Sequence, residues 1–297
     1  MRLFYETNSP GPKGNKMNFT LRLLVILSVL WTFNATAQQT PPQDYEPKVG
    51  QSGKDVIWVP TPDDVVERML RMAKVTANDY VVDLGAGDGK IAIVAAKLFK
   101  ARALGVEYNP EFARFAQGNV IKAGVADRAK VIEGDIFVTD FTEANVVTMY
   151  LLPHLNLKLR PQLLTMRPGT RIVTHSFNMD DWEPDDHSSV NGRDVYLYII
   201  PATAMGQWTT EAHTGKTKET FELSLMQRYQ KLEGGAQFGT LRAGLRDARM
   251  NGSDIRFSFM DQQGIHRDYT GKISGPRMQG TFVTDTGKKG RWSAVRK

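Results

Sequence analysis

The chain has 297 residues, 41% hydrophobic and 24% charged, with 38 Lys and Arg against 32 Asp and Glu and no cysteine. That length and composition provide for one large domain or two modest ones with real cores, which excludes disorder and collagen-like repetition. The missing cysteines exclude disulfides, iron–sulfur clusters, thiolate zinc sites, a cysteine nucleophile and the acylated cysteine of a lipoprotein, so any catalysis runs on oxygen, nitrogen or a bound cofactor.

In chain order, the first feature is the apolar run LRLLVILSVLWTF at residues 21–33. It is shorter than the roughly 20 residues that span a bilayer and has the length of a signal-peptide core. Lys13, Lys16 and Arg22 give a positive flank, and Ala35-Thr36-Ala37 supplies a small-x-small pattern before Gln38. Residues 1–37 are therefore expected to be a cleaved signal peptide that exports the protein to a bacterial periplasm, with translation starting at Met17; an uncleaved membrane anchor is the alternative. Residues 38–54, QQTPPQDYEPKVGQSGK, are proline-rich and polar and read as an extended linker, with folded structure beginning near Asp55.

From Val59 the pattern changes. Thr61-Pro62-Asp63-Asp64 offers an N-cap, a proline at the first helical turn and acids at the positive helix end, followed by VVERMLRMAKV with helical spacing. A β-rich run at Tyr80–Leu84, a Gly-rich turn and the helical IAIVAAKLFK come next. ALGVEY reads as a strand, and Asn109-Pro110 opens a helix closed by Gly124. AKVIEGD, NVVTMYL and TRIVTHS are three further strand candidates, with a helix over Leu155 to Met166 between the last two. Strands alternating with helices predict a parallel doubly wound α/β sheet over residues 55–201, whose ligand sites lie beyond the carboxyl ends of the strands.

The turn after the first strand is Asp83-Leu84-Gly85-Ala86-Gly87-Asp88-Gly89-Lys90. A dinucleotide site calls for G-x-G-x-x-G with no acid at the pyrophosphate. Here Asp83 and Asp88 would repel a pyrophosphate and suit a ligand bearing an ammonium and a sulfonium. Twenty residues beyond Gly87, Glu107 ends the second strand, where an acid accepts hydrogen bonds from both ribose hydroxyls; Asp135, in GDIF after the third strand, is set to meet an adenine amino group. For single residues plainer readings stay open: Gly89 serves helix packing, or Asp88 is a helix N-cap.

The set VVDLGAGDGKIAI, GVEYNP and EGDIF closely resembles the class I S-adenosylmethionine-dependent methyltransferases, over about residues 57–200. The resemblance implies that S-adenosyl-L-methionine is the cofactor. It also implies that Asp83 holds the cofactor's amino group, that Gly85, Ala86, Gly87 and Gly89 line its methionine part, that Glu107 and Tyr108 meet its ribose, and that Asp135 and Ile136 meet its adenine. The additional segments WVPTPDDVVERML and NVVTMYLLPHLNLKL are similar to the small protein-lysine methyltransferases of the mitochondrial inner membrane and their bacterial relatives. In that family the Pro-Thr-Pro segment packs over the cofactor, which makes Pro60, Thr61 and Pro62 a lid; Thr61 as a helix cap is the plainer alternative. The same likeness points to Tyr150 and His154, after the fourth strand, as substrate-facing catalytic residues, Tyr150 orienting the nucleophile and His154 acting as base. His154 as a simple helix-start residue, and His175 and Trp182 as pocket rim or core, are left open. Methyl transfer from a sulfonium requires no metal, and none is expected.

After Pro201 helical patterning stops. GQWTTEA, ETFELSLMQRYQ, GTLRAGLRD, DIRFSFMD, RDYTGKISG, RMQGTFVTD and GRWSAVRK are short alternating runs between Gly, Asn and Asp turns, predicting an antiparallel all-β barrel or sandwich of about six to eight strands over residues 202–297. This module holds 16 Lys and Arg against 9 Asp and Glu, so the basic excess of the chain belongs to it. It is expected to stabilise the enzyme domain or to recruit an anionic or envelope partner; no specific nucleic acid is expected. The function read from the sequence is methyl transfer to a protein lysine amine. The alternatives are a non-catalytic envelope binding protein with a relic cofactor fold and a methyltransferase acting on a small molecule.

Overall fold

The computed structural model describes Gly11, residues 45–54 and residues 57–297; the expected signal peptide or anchor lies outside them. Among the described residues no helix is long and apolar enough to cross a membrane.

Helix α1 (Asp63–Met72) begins behind Pro62 with Asp63 and Asp64 in its first turn and buries Val65, Val66, Met69 and Leu70. It is followed by β1 (Tyr80–Leu84), α2 (Lys90–Phe99), β2 (Arg102–Glu107), α3 (Pro110–Lys122), β3 (Ala129–Glu133), β4 (Val146–Met149), α4 (Pro153–Leu163), β5 (Arg171–His175), β6 (Asp186–Val190) and β7 (Arg193–Ile199). These strands form one sheet in the order β3-β2-β1-β4-β5-β7-β6, with β7 antiparallel to both neighbours and β1 to β5 parallel. Central strands are apolar throughout because helices cover both faces: Val81 packs with Val65, Met69 and Ala92, while its neighbour Val82 points the other way toward Leu159, Leu163 and Trp182. Strand order reverses between β1 and β4, so a crevice opens beyond their carboxyl ends.

The C-terminal module comprises β8 (Gly206–Thr214), β9 (Thr217–Arg228), β10 (Lys231–Phe238), β11 (Leu241–Gly244), β12 (Arg246–Asn251), β13 (Asp254–Met260), β14 (His266–Ser274), β15 (Arg277–Thr284) and β16 (Lys289–Arg296). Antiparallel pairing runs β10-β12-β13-β14-β15-β16-β8-β9, and β9 pairs back onto β10, so eight strands close a barrel while β11 extends β10 as a hairpin. Trp208, Phe221, Phe257, Phe259, Tyr269, Phe282 and Trp292 fill its interior. The barrel or sandwich expectation resolves as a barrel.

Strand β10 goes beyond the expected runs, because Gly234-Gly235 interrupts its alternation, and GTLRAGLRD divides into β11 and the start of β12. Strands β6 and β7 are likewise additions to the expected sheet, since DHSSV is polar and half-exposed.

The two sheets meet at the segment after β5. Trp182 is fully buried there, stacked on Tyr229 and tilted against Tyr198, and its Nε1 donates to Gln230 Oε1 at 3.0 Å. Gln230 Nε2 donates to the Glu183 carbonyl at 2.6 Å, and Arg160 of α4 and Arg228 of β9 both bind Asp181. Trp182 is therefore core rather than pocket rim.

Candidate functional site

The Gly-rich turn is built by the strands beside it. Gly85 and Ala86 both donate their N–H groups to the Val106 carbonyl, at 2.9 and 3.0 Å, so the chain leaves β1 and reverses directly over the end of β2. Glu107 fixes the turn from β2: its Oε2 accepts from Gly87 N at 3.0 Å and its Oε1 from Asn109 N at 3.0 Å. A carboxylate has about four acceptor positions, so each oxygen keeps one for a ligand. A Cβ on Gly87 would lie 2.7 Å from Trp58 Nε1 and one on Gly85 2.9 Å from Leu151 Cδ2, so both positions need glycine to keep the adjoining space open.

Asp83 is 3% exposed at the end of β1. Its Oδ1 accepts from Thr148 Oγ1 at 2.7 Å. Burial pushes its carboxyl up to about 7, against the Thr148 hydrogen bond and with a further push from the negative charges of Asp88 and Glu107. Asp88 accepts from Lys90 N at 3.1 Å and so caps α2. Lys90 in turn reaches the Thr61 carbonyl at 3.1 Å and Asp63 at 2.9 Å, tying the Pro60-Thr61-Pro62 segment to the turn. Thr61 Oγ1 lies 3.2 Å from His175 Nδ1. The His175 ring stands 3.9 Å from that of Tyr150, its Nε2 is buried without a hydrogen-bond partner, and burial, aided by the charge of Arg193, lowers it to about 4, so it is neutral at pH 7. Tyr150 is also stacked on Phe177.

At the opposite end, Asp135 accepts from Phe137 N at 2.9 Å and pairs with Lys54 Nζ at 2.8 Å, and Lys54 holds its carboxyl below the usual range. The same ammonium sits 4.3 Å from the Tyr108 ring centroid. The segment that carries Lys54 is not an extended linker. Gly50 N and Trp58 N bond to Trp58 O and Gln51 O, Trp58 stands edge-on to Phe112 at 5.0 Å, and Tyr45 packs on Phe112 and Phe115. The expected boundary near Asp55 is thereby corrected to at least Tyr45.

Together these residues enclose a cavity of about 300 Å³. Pro60, Thr61, Asp83, Gly85, Ala86, Gly87, Glu107, Tyr108, Asp135, Ile136 and Tyr150 all line it. Gly89 does not: a Cβ there would meet Val131 and Ala116, so its absence of a side chain serves packing of α2 against α3 and β3. His154 is not brought to the cavity either; it lies exposed in the first turn of α4, whose inward side is taken by Leu155 and Asn156. Lys54, Trp58, Phe112 and Phe177 join the lining without having been expected from the sequence. Trp58 carried a signal in its place beside the Val59-Pro60-Thr61-Pro62 stretch; the others carried none.

Comparison with known proteins agrees with this geometry. Residues 83–186 match the family model described as the ANTKMT methyltransferase domain. The chain is 47% identical over 151 residues to a protein-lysine N-methyltransferase of Saccharolobus islandicus, covering 49% of this chain and 94% of that protein. It is 31% identical over 147 residues to a mouse ATP synthase lysine N-methyltransferase, covering 49% of this chain and 58% of that protein. Among solved structures it is similar to an RNA methyltransferase from Salinibacter ruber in complex with S-adenosyl-L-homocysteine, with 46% identity, a TM-score of 0.48, and coverage of 49% of this chain and 95% of that one.

Proposed function

The chain belongs to the protein-lysine N-methyltransferase family of class I S-adenosylmethionine-dependent enzymes, and from that premise we propose that it methylates a lysine amine of a protein. The observation that carries this reading is the convergence of three acids, Asp83, Glu107 and Asp135, at or just beyond the ends of three neighbouring parallel strands, on one cavity roofed by Trp58 and the Pro60–Pro62 segment.

The residues fit the cofactor: Gly85 and Gly87 leave space that a Cβ would fill, and Asp83 is a buried acid awaiting a cation. When bound, S-adenosylmethionine supplies a methyl group on a sulfonium. Asp83 holds the cofactor's ammonium, Glu107 accepts from its ribose hydroxyls while keeping Gly87 and Asn109 in place, and Asp135 exchanges Lys54 for the adenine amino group. Tyr150 and Phe177 form the wall on the reacting side, where an aromatic face attracts the incoming lysine and a low-polarity surround favours its neutral, nucleophilic form. Alignment in a closed cavity then supplies the acceleration.

In the test, the full chain is incubated with methyl-labelled cofactor and a cell-envelope extract. Label is expected in protein and recovered as methyl-lysine, with Glu107→Ala lowering the rate at least 100-fold. Label confined to the low-mass fraction would replace this reading with small-molecule methylation, and cofactor binding without any transfer would replace it with a binding protein.

Export through the leader at residues 1–37 and contact of the basic C-terminal module with an anionic envelope partner belong to the same reading. Sequencing the mature N-terminus is expected to start at Gln38; retention of residues 17–37 would make the leader an anchor.

A further inference from the structure

The barrel's outer wall carries a row of bases that the cofactor site does not use. Residues directly opposite one another on neighbouring strands share a face, and the register links Lys231 to Arg249, Arg249 to Arg256, Arg256 to Thr270, Thr270 to Thr281, Thr281 to Arg291, Arg291 to His213 and His213 to Lys218. Like charges placed opposite one another destabilise a sheet, as at Arg249 and Arg256. Arg249 is compensated by Asp185 at 3.3 Å, Lys231 by Glu183 at 2.6 Å and Lys218 by Glu211 at 2.6 Å. Among the described residues Arg256 and Arg291 have no acidic partner.

The central part of this row lines a groove of about 980 Å³. The wall is drawn inward there by the adjacent row, where a Cβ on Gly271 would lie 2.7 Å from Trp292 and one on Gly280 1.9 Å from the Thr270 carbonyl oxygen. Thr270 and Thr281 sit on its floor with their hydroxyls 3.4 Å apart, flanked by Arg256 and Arg291. From Arg249 to Arg291 the row crosses four strand spacings, roughly 19 Å, the length of about six residues of extended chain.

We propose that this groove docks an acidic stretch of the methyl-accepting protein, an inference that rests on the protein-lysine reading of the cofactor site. Two guanidinium forks bind carboxylates bidentately, and the threonine hydroxyls complete the contacts. Single-stranded nucleic acid is disfavoured because the neighbouring aromatics, Phe257, Tyr269 and Trp292, point inward and leave no stacking platform. Asp185 and Asp254 interrupt the bases, which suits a peptide of mixed charge better than a uniform phosphate track. A groove sunk into the wall also holds its arginines back from a planar headgroup layer.

The test uses fluorescein-labelled octaglutamate and the full chain, read by anisotropy at low salt. Wild type is expected to bind, the Arg256→Ala/Arg291→Ala double variant to bind at least tenfold more weakly with unchanged melting temperature and cofactor affinity, and Arg277→Ala to match wild type. A lysine peptide with an octaglutamate tail is expected to show a KM at least tenfold below that of the untailed peptide, a difference lost in the double variant while kcat is kept. Equal binding by the double variant, tighter capture of octathymidylate or of phosphatidylglycerol vesicles, or a KM indifferent to the tail overturns the proposal. Anisotropy needs no methyl transfer, so an inactive protein would sink the enzymatic reading while the groove's affinity for carboxylates is still measured separately.

Discussion

Replacing Asp83 with alanine is expected to weaken S-adenosylmethionine binding at least 100-fold by calorimetry. Asp83 is a buried carboxylate with one oxygen committed to Thr148. Removing one member of a buried, hydrogen-bonded charge pair costs about 2–5 kcal/mol, which spans that factor. The pH dependence separates this role from mere space filling. In the free protein the Asp83 carboxyl sits at about 7, whereas a bound ammonium favours the ionised form. Cofactor affinity should therefore be flat above pH 7 and fall as pH drops below it, approaching tenfold per unit, with about one proton released on binding in acid.

Asp83→Asn should bind weakly at every pH and lose the slope; a slope retained in that variant would assign the titration to another group. The sign for stability is opposite. A folded-state value raised from 3.8 to about 7 means that the free chain loses stability as pH rises through that window, on the order of 4 kcal/mol for one group. Asp83→Asn should thus be more stable than wild type at pH 8 in urea unfolding. The cofactor site is held in a destabilised form that the ligand relieves.

Trp182→Ala is expected to destabilise the protein by about 3–5 kcal/mol and lower its melting temperature by roughly 10 °C. The indole is fully buried between Tyr198 and Tyr229 and donates to Gln230, so truncation leaves both a cavity and an unpaired amide oxygen. Trp182→Phe retains most of the apolar burial and should cost about 1–2 kcal/mol, the value of the lost hydrogen bond with its orphaned partner. Because the same segment delivers Phe177 to the cofactor cavity, with the Phe177 carbonyl held by Thr174 Oγ1 at 2.6 Å and Asn156 Nδ2 at 3.1 Å, Trp182→Ala should also impair methyl transfer at temperatures where it remains folded. Wild type should unfold in one transition by calorimetry; two separated transitions would mean that this junction does not couple the sheet to the barrel.

Asp83, Glu107 and Asp135 were legible in the sequence because each depends on local chemistry, an acid where an apolar strand ends. Gly89 was not, because whether it faces ligand or helix is decided by Ala116 and Val131, which approach from elsewhere in the chain. Tyr150 and His154 are four residues apart, and the onset of α4 at Pro153 sends one toward the cavity and the other to solvent. Lys54 and Trp58 belong to a segment whose polar, proline-containing composition resembles a spacer. Its position comes from Tyr45 and Trp58 gripping Phe112 and Phe115 of α3, a tertiary event with no periodic signature. The barrel's strand number blurred at Gly234-Gly235 and Leu245 for a related reason: pairing partners, rather than alternation, define strands there.

Closure of the barrel through β9 and β10 has a consequence for recognition. Eight strands use their backbone donors and acceptors on one another around the ring, and the ninth, β11, offers just four residues. An incoming polypeptide therefore finds little main chain to zip onto, and β-augmentation is a poor route into this module. Selectivity must reside in the outward side chains, which can diverge between relatives without disturbing the hydrogen-bonded ring beneath them. The same ring architecture can thus be retuned to new clients by surface substitution alone.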